Sequence, residues 1–473
     1  MKKSKLIAAL QTINEEEAAR LQKFVASPYF NEQEELTRLL GFLLGFWPEF
    51  TAESLDKRAC FAAVFPGRPY EDKRYRYMAS NLYQLVERFW VVEQQKQETL
   101  RNEVLLMDSL SSRRLDKGYQ HSHRRIDRYM KQQTARNSEY FLQQLHWAEA
   151  EERHFGRQRL RQYDASIQRA ADMLDRYYHL RKLRFACGMM DRQTIIKGDY
   201  SLNISNHWLA HLQHQQFFDE PIIELYFNIL QALLDENDAT HFDRLQNMLA
   251  HHSASISKES LKDIYLFAIN YCARKIRQGQ EAYISRALQL YLDGIESEIL
   301  IDGGYLSPWA FTNVVKLALR LRRYNWIEHF IQRYGPALPD IFRENALHYN
   351  LAELYYYTRR FEKAQEHLNQ VAYSDLNYYL GARVILAKIY YEAQEIEPLL
   401  SLLAAFTIFL KRNKLISADL KQTFLNFCDI LFQIVRGRRR QWNKLGGKIR
   451  TTRLLTDRTW LLSVYEKAAP DVG

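Results

Sequence analysis

The stretch Tyr349-Asn350-Leu351-Ala352-Glu353-Leu354-Tyr355-Tyr356, followed by Phe361-Glu362-Lys363-Ala364 and then by Leu368 and Val371, decides how this chain is read. Its apolar residues recur at spacings of three and four, the signature of helices with one buried stripe. The two halves read as antiparallel helices that cross with Ala352 against Ala364. Only small side chains permit so close an approach, and the larger Leu351, Tyr355 and Leu368 are left to bury against a following hairpin.

The pattern recurs. With Leu380 as first position it gives Leu386-Ala387, Tyr390-Tyr391, Ile396, Leu399, Leu403 and Phe406. A weaker copy begins near Pro308 with Val315, Ala318, Tyr324, Ile327, Ile331 and Tyr334. This periodicity resembles the 34-residue tetratricopeptide repeat, a helix–turn–helix unit that buries its apolar face by stacking on its neighbours. In that register Asn345 opens the central copy, and Leu351, Ala352 and Tyr355 fill its large, small and aromatic slots. Leu399 stands where the last copy needs a small residue, which predicts a looser hairpin, and none of the three has the usual terminal proline.

Upstream, proline and glycine placement sets the organisation. No proline occurs between Pro69 and Pro221, and Gly156 is the one glycine between Gly118 and Gly188. A sheet with its turns cannot be written in such a stretch, so long helices are predicted, with breaks near Gly118 and Gly156. The first ninety-odd residues are instead punctuated by Pro28, Pro48, Pro66 and Pro69. There Asn31 with Glu34 reads as a capping box, and Asp72 as the N-cap of a helix carrying Tyr75, Met78, Leu82, Leu85, Phe89 and Val92. Further helices are predicted after residue 193, with breaks near Gly198, Pro221, 251–257 and Gly279, and Thr194–Tyr200 reads as a loop. The expectation is an all-α chain in four parts: a compact helical domain (1–96), long basic helices (97–192), helical hairpins (193–302), and a tetratricopeptide-like α-solenoid ending in a basic helical segment (303–473).

Two further stretches, Phe65-Pro66-Gly67-Arg68-Pro69-Tyr70-Glu71-Asp72-Lys73-Arg74 and Phe409-Leu410-Lys411-Arg412-Asn413-Lys414-Leu415-Ile416-Ser417, resemble segments of an uncharacterised family of bacterial helical-repeat proteins. That resemblance implies tetratricopeptide-like architecture and a cytoplasmic location, and brings no catalytic residues with it.

Composition excludes several classes. Of 473 residues, 47% are hydrophobic and 26% charged, which is ordinary for packed domains and argues against disorder. No uncharged apolar window is long enough to span a bilayer, so no membrane partner is expected. The basic start and short apolar run of residues 1–10 meet Asn14-Glu15-Glu16-Glu17 with no cleavage-type small residues, reading as a first helix. Cys60, Cys187, Cys272 and Cys428 are too widely spaced for a thiolate metal motif and read as buried, reduced thiols. The net charge of +10 is concentrated in two strips. One runs through Arg113, Arg114, Arg124, Arg125, Arg128 and Lys131. The other holds Arg436, Arg438, Arg439, Arg440, Lys444 and Lys448, with Trp442 placed to stack on a base. Such strips suit a polyanion, and make a nucleic-acid-associated protein the second functional reading.

Enzymatic signatures are missing. Leu445-Gly446-Gly447-Lys448-Ile449 lacks the upstream glycine and the following Ser/Thr of a phosphate loop and reads as a turn. No HExxH, GxSxG or dinucleotide fingerprint occurs. His207, His211 and His214 share one helix face, with His241, His251 and His252 elsewhere, but no carboxylate or cysteine completes a ligand set, and no metal or cofactor is expected. The chain therefore reads as a non-enzyme.

In tetratricopeptide repeats the concave groove is lined by the second, fifth, ninth, twelfth and thirteenth positions. Transferred to this register these are Trp309, Thr312, Lys316, Leu319 and Arg320; Ala346, Tyr349, Glu353, Tyr356 and Tyr357; and Gly381, Val384, Lys388, Tyr391 and Glu392. Exposed Trp, Tyr and Arg make interface hot spots, so another protein or peptide is the expected partner. The Lys/Asn/Lys/Arg set with which some related repeats clamp a C-terminal carboxylate is matched by Asn350 alone. The alternative is that these aromatics pack inward against the rest of the protein.

Overall fold

The computed structural model describes residues 4–50, 56–158, 162–195, 200–214, 216–235, 238–372, 375–436 and 442–468. It is all-α, and the helices follow in chain order. They are α1 (Lys5–Leu10), α2 (Glu15–Val25), α3 (Glu34–Leu44), α4 (Lys57–Val64), α5 (Asp72–Gln97), α6 (Thr99–Ser112), α7 (Asp116–Gln132), α8 (Ser138–Gln158) and α9 (Ala165–Ile195). Then come α10 (Asn206–His214), α11 (Pro221–Leu234), α12 (Thr240–His252), α13 (Lys258–Arg277) and α14 (Ala282–Glu296). After a two-stranded ribbon follow α15 (Pro308–Arg320), α16 (Tyr324–Tyr334), α17 (Asp340–Tyr357), α18 (Phe361–Gln370), α19 (Leu376–Glu392) and α20 (Ile396–Arg412). The chain closes with α21 (Ala418–Arg436), α22 (Trp442–Thr451) and α23 (Arg458–Lys467). Two compact units result, residues 1–178 and 179–473, with the boundary inside α9.

In the first unit, α1–α5 enclose a core running from Leu6 to Phe89, and the α5 stripe Tyr75, Met78, Leu82, Leu85 and Phe89 is buried in it. The helix ends differ from the sequence reading by a residue or two. The capping box is at α2, where Asn14 accepts from the Glu17 amide and Glu17 accepts from the Asn14 amide, each at 2.9 Å. Asn31 lies outside α3: its side chain donates to the Val25 carbonyl at 2.8 Å and accepts from the Gln33 amide, tying the loop to α2. Glu71, not Asp72, is the cap of α5, and Asp72 in the first turn accepts from the Tyr70 hydroxyl at 2.8 Å. The break between α6 and α7 falls at 113–115, where Arg114 is left-handed (φ 57). Gly118 lies within α7, where any Cβ would press on the Leu110 side chain, and Gly156 lies within α8.

In the second unit α15–α20 form three successive helical hairpins, each joined by the same turn. Arg322, Arg359 and Gln394 adopt the left-handed conformation with φ of 56, 57 and 62°. The next amide reaches back to the helix: Arg323 to the Ala318 carbonyl at 3.0 Å, Arg360 to Tyr355 at 2.8 Å and Glu395 to Tyr390 at 2.8 Å. This is the Schellman closure, which satisfies carbonyls that a helix end otherwise leaves bare. Gly279 (φ 87°) makes the same turn between α13 and α14, with Gln280 donating to the Lys275 carbonyl at 3.0 Å. The three residues occupy one position of the three sequence copies.

Ala352 of α17 and Ala364 of α18 are fully buried, as are Leu399 in the third hairpin and Ile327 in the first. Gly303 and Gly304 take positive φ (55 and 84°) in the tight turn that pairs Ile301 with Leu306. This short hairpin precedes α15, and Asp302-Gly303-Gly304 is its sequence signal. Leu445–Ile449 is helical, within α22, not a turn, and at Gly446 the Tyr465 ring of α23 approaches where a Cβ would clash. The predicted loop 194–200 lies largely outside the described residues.

Candidate groove site

Helices α15, α17 and α19 are the first helices of the three hairpins. Residues spaced by three and four on them converge on one cavity of about 410 Å³. From α15 come Trp309, Thr312, Asn313 and Lys316; from α17, Tyr349, Glu353, Tyr356 and Tyr357; from α19, Tyr378, Gly381, Val384, Ile385 and Lys388. Phe424, Thr456 and Asp457 close one side. Most of the positions transferred from the repeat register thus face a single space. Leu319, Arg320, Ala346, Tyr391 and Glu392 do not line it, Leu319 and Ala346 being buried in the packing between helices. Arg320 is exposed and lies 3.7 Å from Glu281.

The site has an open and a closed half. Trp309 is 53% exposed and Tyr357 48%. Tyr349, by contrast, is buried: Gly381 has no side chain, and the Tyr349 ring occupies the space where a Cβ would come within 2.8 Å. Lys388 is buried and paired with Asp457 at 2.8 Å, its ammonium 4.8 Å from the centre of the Tyr356 ring. Tyr391 is not an open groove residue, because Trp460 of α23 packs edge-on against it at 5.7 Å. Glu392 accepts from the Trp460 indole at 3.0 Å and from the Tyr356 hydroxyl. The sequence reading expects a helical segment here but not its packing on α19, since nothing local links Asp457 or Trp460 to that helix.

A buried polar chain runs beneath the cavity floor. Asn350 donates to the Ala346 carbonyl at 2.7 Å and to Thr312 at 3.1 Å, and Thr312 meets the Tyr378 hydroxyl at 3.0 Å. Asn350 is fully buried, so its match to the carboxylate clamp is corrected to a packing role. Above it the Tyr349 hydroxyl donates to Glu353 Oε1 at 3.2 Å. Burial pushes the Glu353 carboxyl above its ordinary range, opposed by Lys316 and by the Tyr349 hydrogen bond. Burial likewise raises Tyr349, Tyr356 and Tyr357, and pushes Tyr378 up to about 12.

The other singled-out residues do not assemble. In the 113–136 strip Arg125 pairs with Glu103 and Lys131 with Asp127, both at 2.8 Å. In the C-terminal strip Lys448 pairs with Asp429 at 2.6 Å, Arg436 lies 4.0 Å from Glu397, and Lys444 is exposed. Arg438, Arg439 and Arg440 lie outside the described residues. The Trp442 ring, partly buried, stacks with one face on Tyr465 at 4.9 Å. His211 stands 6.1 Å, ring to ring, from His179, which accepts from the Trp208 indole at 3.1 Å; the side chain of His214 lies outside the described residues. Among the described residues no three His, Cys, Asp or Glu stand where they could hold a metal ion. No helix among them is long and apolar enough to cross a membrane.

Comparison with family models, with curated proteins and with solved structures finds no match for this chain.

Proposed function

We propose that this chain is a non-catalytic, cytoplasmic interaction scaffold of tetratricopeptide-like architecture, whose groove holds a helix or extended segment of another protein. One observation carries the reading. Trp309 and Tyr357, large rings of the kind that dominate interface energetics, are about half exposed on the wall of a formed cavity. The shared turn at Arg322, Arg359 and Gln394 supports the repeat register from which those positions were drawn.

The test is a double variant, Trp309→Ala with Tyr357→Ala. Both side chains are substantially exposed, so folding should change little. Loss of two hot-spot rings should weaken partner capture by tenfold or more, at about 1–2 kcal/mol per ring. Proteins co-purifying with wild type should vanish from the variant. An unchanged set would move the binding surface elsewhere.

A further inference from the structure

Glu353 has chemistry that its own chain leaves unanswered. It is 9% exposed and lines the cavity, yet only Oε1 has a partner, the Tyr349 hydroxyl. Oε2 is shielded from solvent and accepts no hydrogen bond among the described residues. A buried carboxyl oxygen in that condition is destabilising, and more so when ionised. A donor that enters the cavity recovers it.

The neighbouring cations do not supply that donor. Lys388 is engaged by Asp457 at 2.8 Å, and the two charges cancel. Lys316 is exposed and lies over the Tyr349 ring, its ammonium 5.6 Å from the centroid, with no ion pair to Glu353. The walls facing Glu353's side of the cavity are aromatic: Trp309 is stacked on Tyr378 at 6.1 Å and 15°, with Tyr356 and Tyr357 alongside. A cation that must leave water to bond a carboxylate between rings is best a guanidinium. It is planar, weakly hydrated, rich in donors and compatible with aromatic faces, whereas an ammonium is compact and strongly hydrated.

We infer that the cavity receives an arginine side chain of the bound segment, a turn of the Glu353 side chain presenting Oε2 to its guanidinium between the rings of Trp309, Tyr357 and Tyr378. This rests on the groove-binding reading above and names what the groove selects. Pairing with a guanidinium also returns the carboxyl to its charged form, against the burial that raises it in the empty site.

The experiment uses the full chain and a positional-scanning library of capped octapeptides, each with one fixed residue, citrulline included as the uncharged isostere of arginine. Arginine should be retained at least tenfold better than citrulline at one position. Glu353→Gln keeps the size and the Tyr349 hydrogen bond; it should abolish that ratio without lowering the melting temperature. Lys316→Ala removes a cavity cation that competes with an incoming one for the Glu353 carboxyl, and should raise the ratio. A ratio that falls in Lys316→Ala, or selection of Asp or Glu, would place recognition on Lys316 and overturn the inference. Peptides that bind, and are lost in the Trp309→Ala/Tyr357→Ala variant, without arginine preference would overturn it too, leaving the groove reading intact. Retention of no peptide by any variant would remove both.

Discussion

Three hairpin turns place non-glycine residues in the left-handed region, and their relief by glycine can be worked from the geometry. Arg322, Arg359 and Gln394 have φ of 56, 57 and 62°, and all three are exposed. The Cβ of an L-residue crowds its carbonyl there, costing roughly 1–2 kcal/mol. Glycine removes that cost but returns about 0.5–1 kcal/mol as freedom in the unfolded chain. Each substitution to Gly should therefore stabilise by about 0.5–1 kcal/mol. Because the sites lie in separate hairpins, the triple variant should gain about 2 kcal/mol. For a unit of this size that is roughly 3–5 °C in melting temperature.

Gly279 supplies the opposite control. It makes the same turn at φ 87°, and a Cβ there would meet nothing within 4 Å, so Gly279→Ala probes backbone strain alone. It should cost about 1 kcal/mol. Thermal melts of the full chain followed by circular dichroism read both effects. A triple-glycine variant melting at or below wild type, together with a neutral Gly279→Ala, would refute the assignment of a common strained turn.

Three other outcomes are checkable. Ala352→Leu or Ala364→Leu places three extra carbons at a fully buried helix crossing and should destabilise by about 1–3 kcal/mol in urea melts, whereas wild-type behaviour would mean the crossing is elsewhere. Burial holds the His367 imidazole below its ordinary pKa, helped by His348 and Lys363, against Glu366. Its neutral form is therefore the folded one, and its contribution is full above about pH 6.5 and lost as the unfolded chain takes up protons below it. His367→Gln should flatten the decline of melting temperature between pH 7 and 5; an unchanged slope would assign that decline to other groups. All four cysteines are buried, with Cys272 and Cys428 pushed up to about 12 by desolvation, so a thiol reagent at pH 8 should label none in the native chain and all four in denaturant.

Sequence periodicity reached the helices because burial stripes such as Tyr75–Phe89 repeat at a spacing no other structure uses. It also reached the cavity, since positions on α15, α17 and α19 follow once a register is chosen. Its failures have local causes. Asn31 and Asn14 are both followed three residues on by glutamate, and only the path of the loop after α2 decides that Asn14 caps while Asn31 braces. Leu445–Ile449 reads as a turn because two adjacent glycines usually mark one, yet here Gly446 serves helix packing against Tyr465.

The tyrosines of the groove illustrate a deeper limit. Tyr349 and Tyr357 occupy equivalent-looking places on one helix, but one is buried and the other about half exposed. What separates them is not in α17. Tyr349 is buried because Gly381 on α19 admits its ring, and Tyr391 is covered because Trp460 arrives from a helix far along the chain. Under the repeat reading proposed above, that cover has a plain origin. A stack of hairpins leaves the outer face of its last member bare, and a terminal element must cap it. Here α21–α23 do so, joining α19 and α20 in one core that runs from Leu380 to Val464. The cap reaches past the edge of α20, so Asp457 neutralises Lys388 and Trp460 seals Tyr391. The end of the groove nearest α23 is thereby spent on capping. The accessible part is confined to α15 and the exposed edge of α17, where Trp309 and Tyr357 line the same cavity as the buried Glu353.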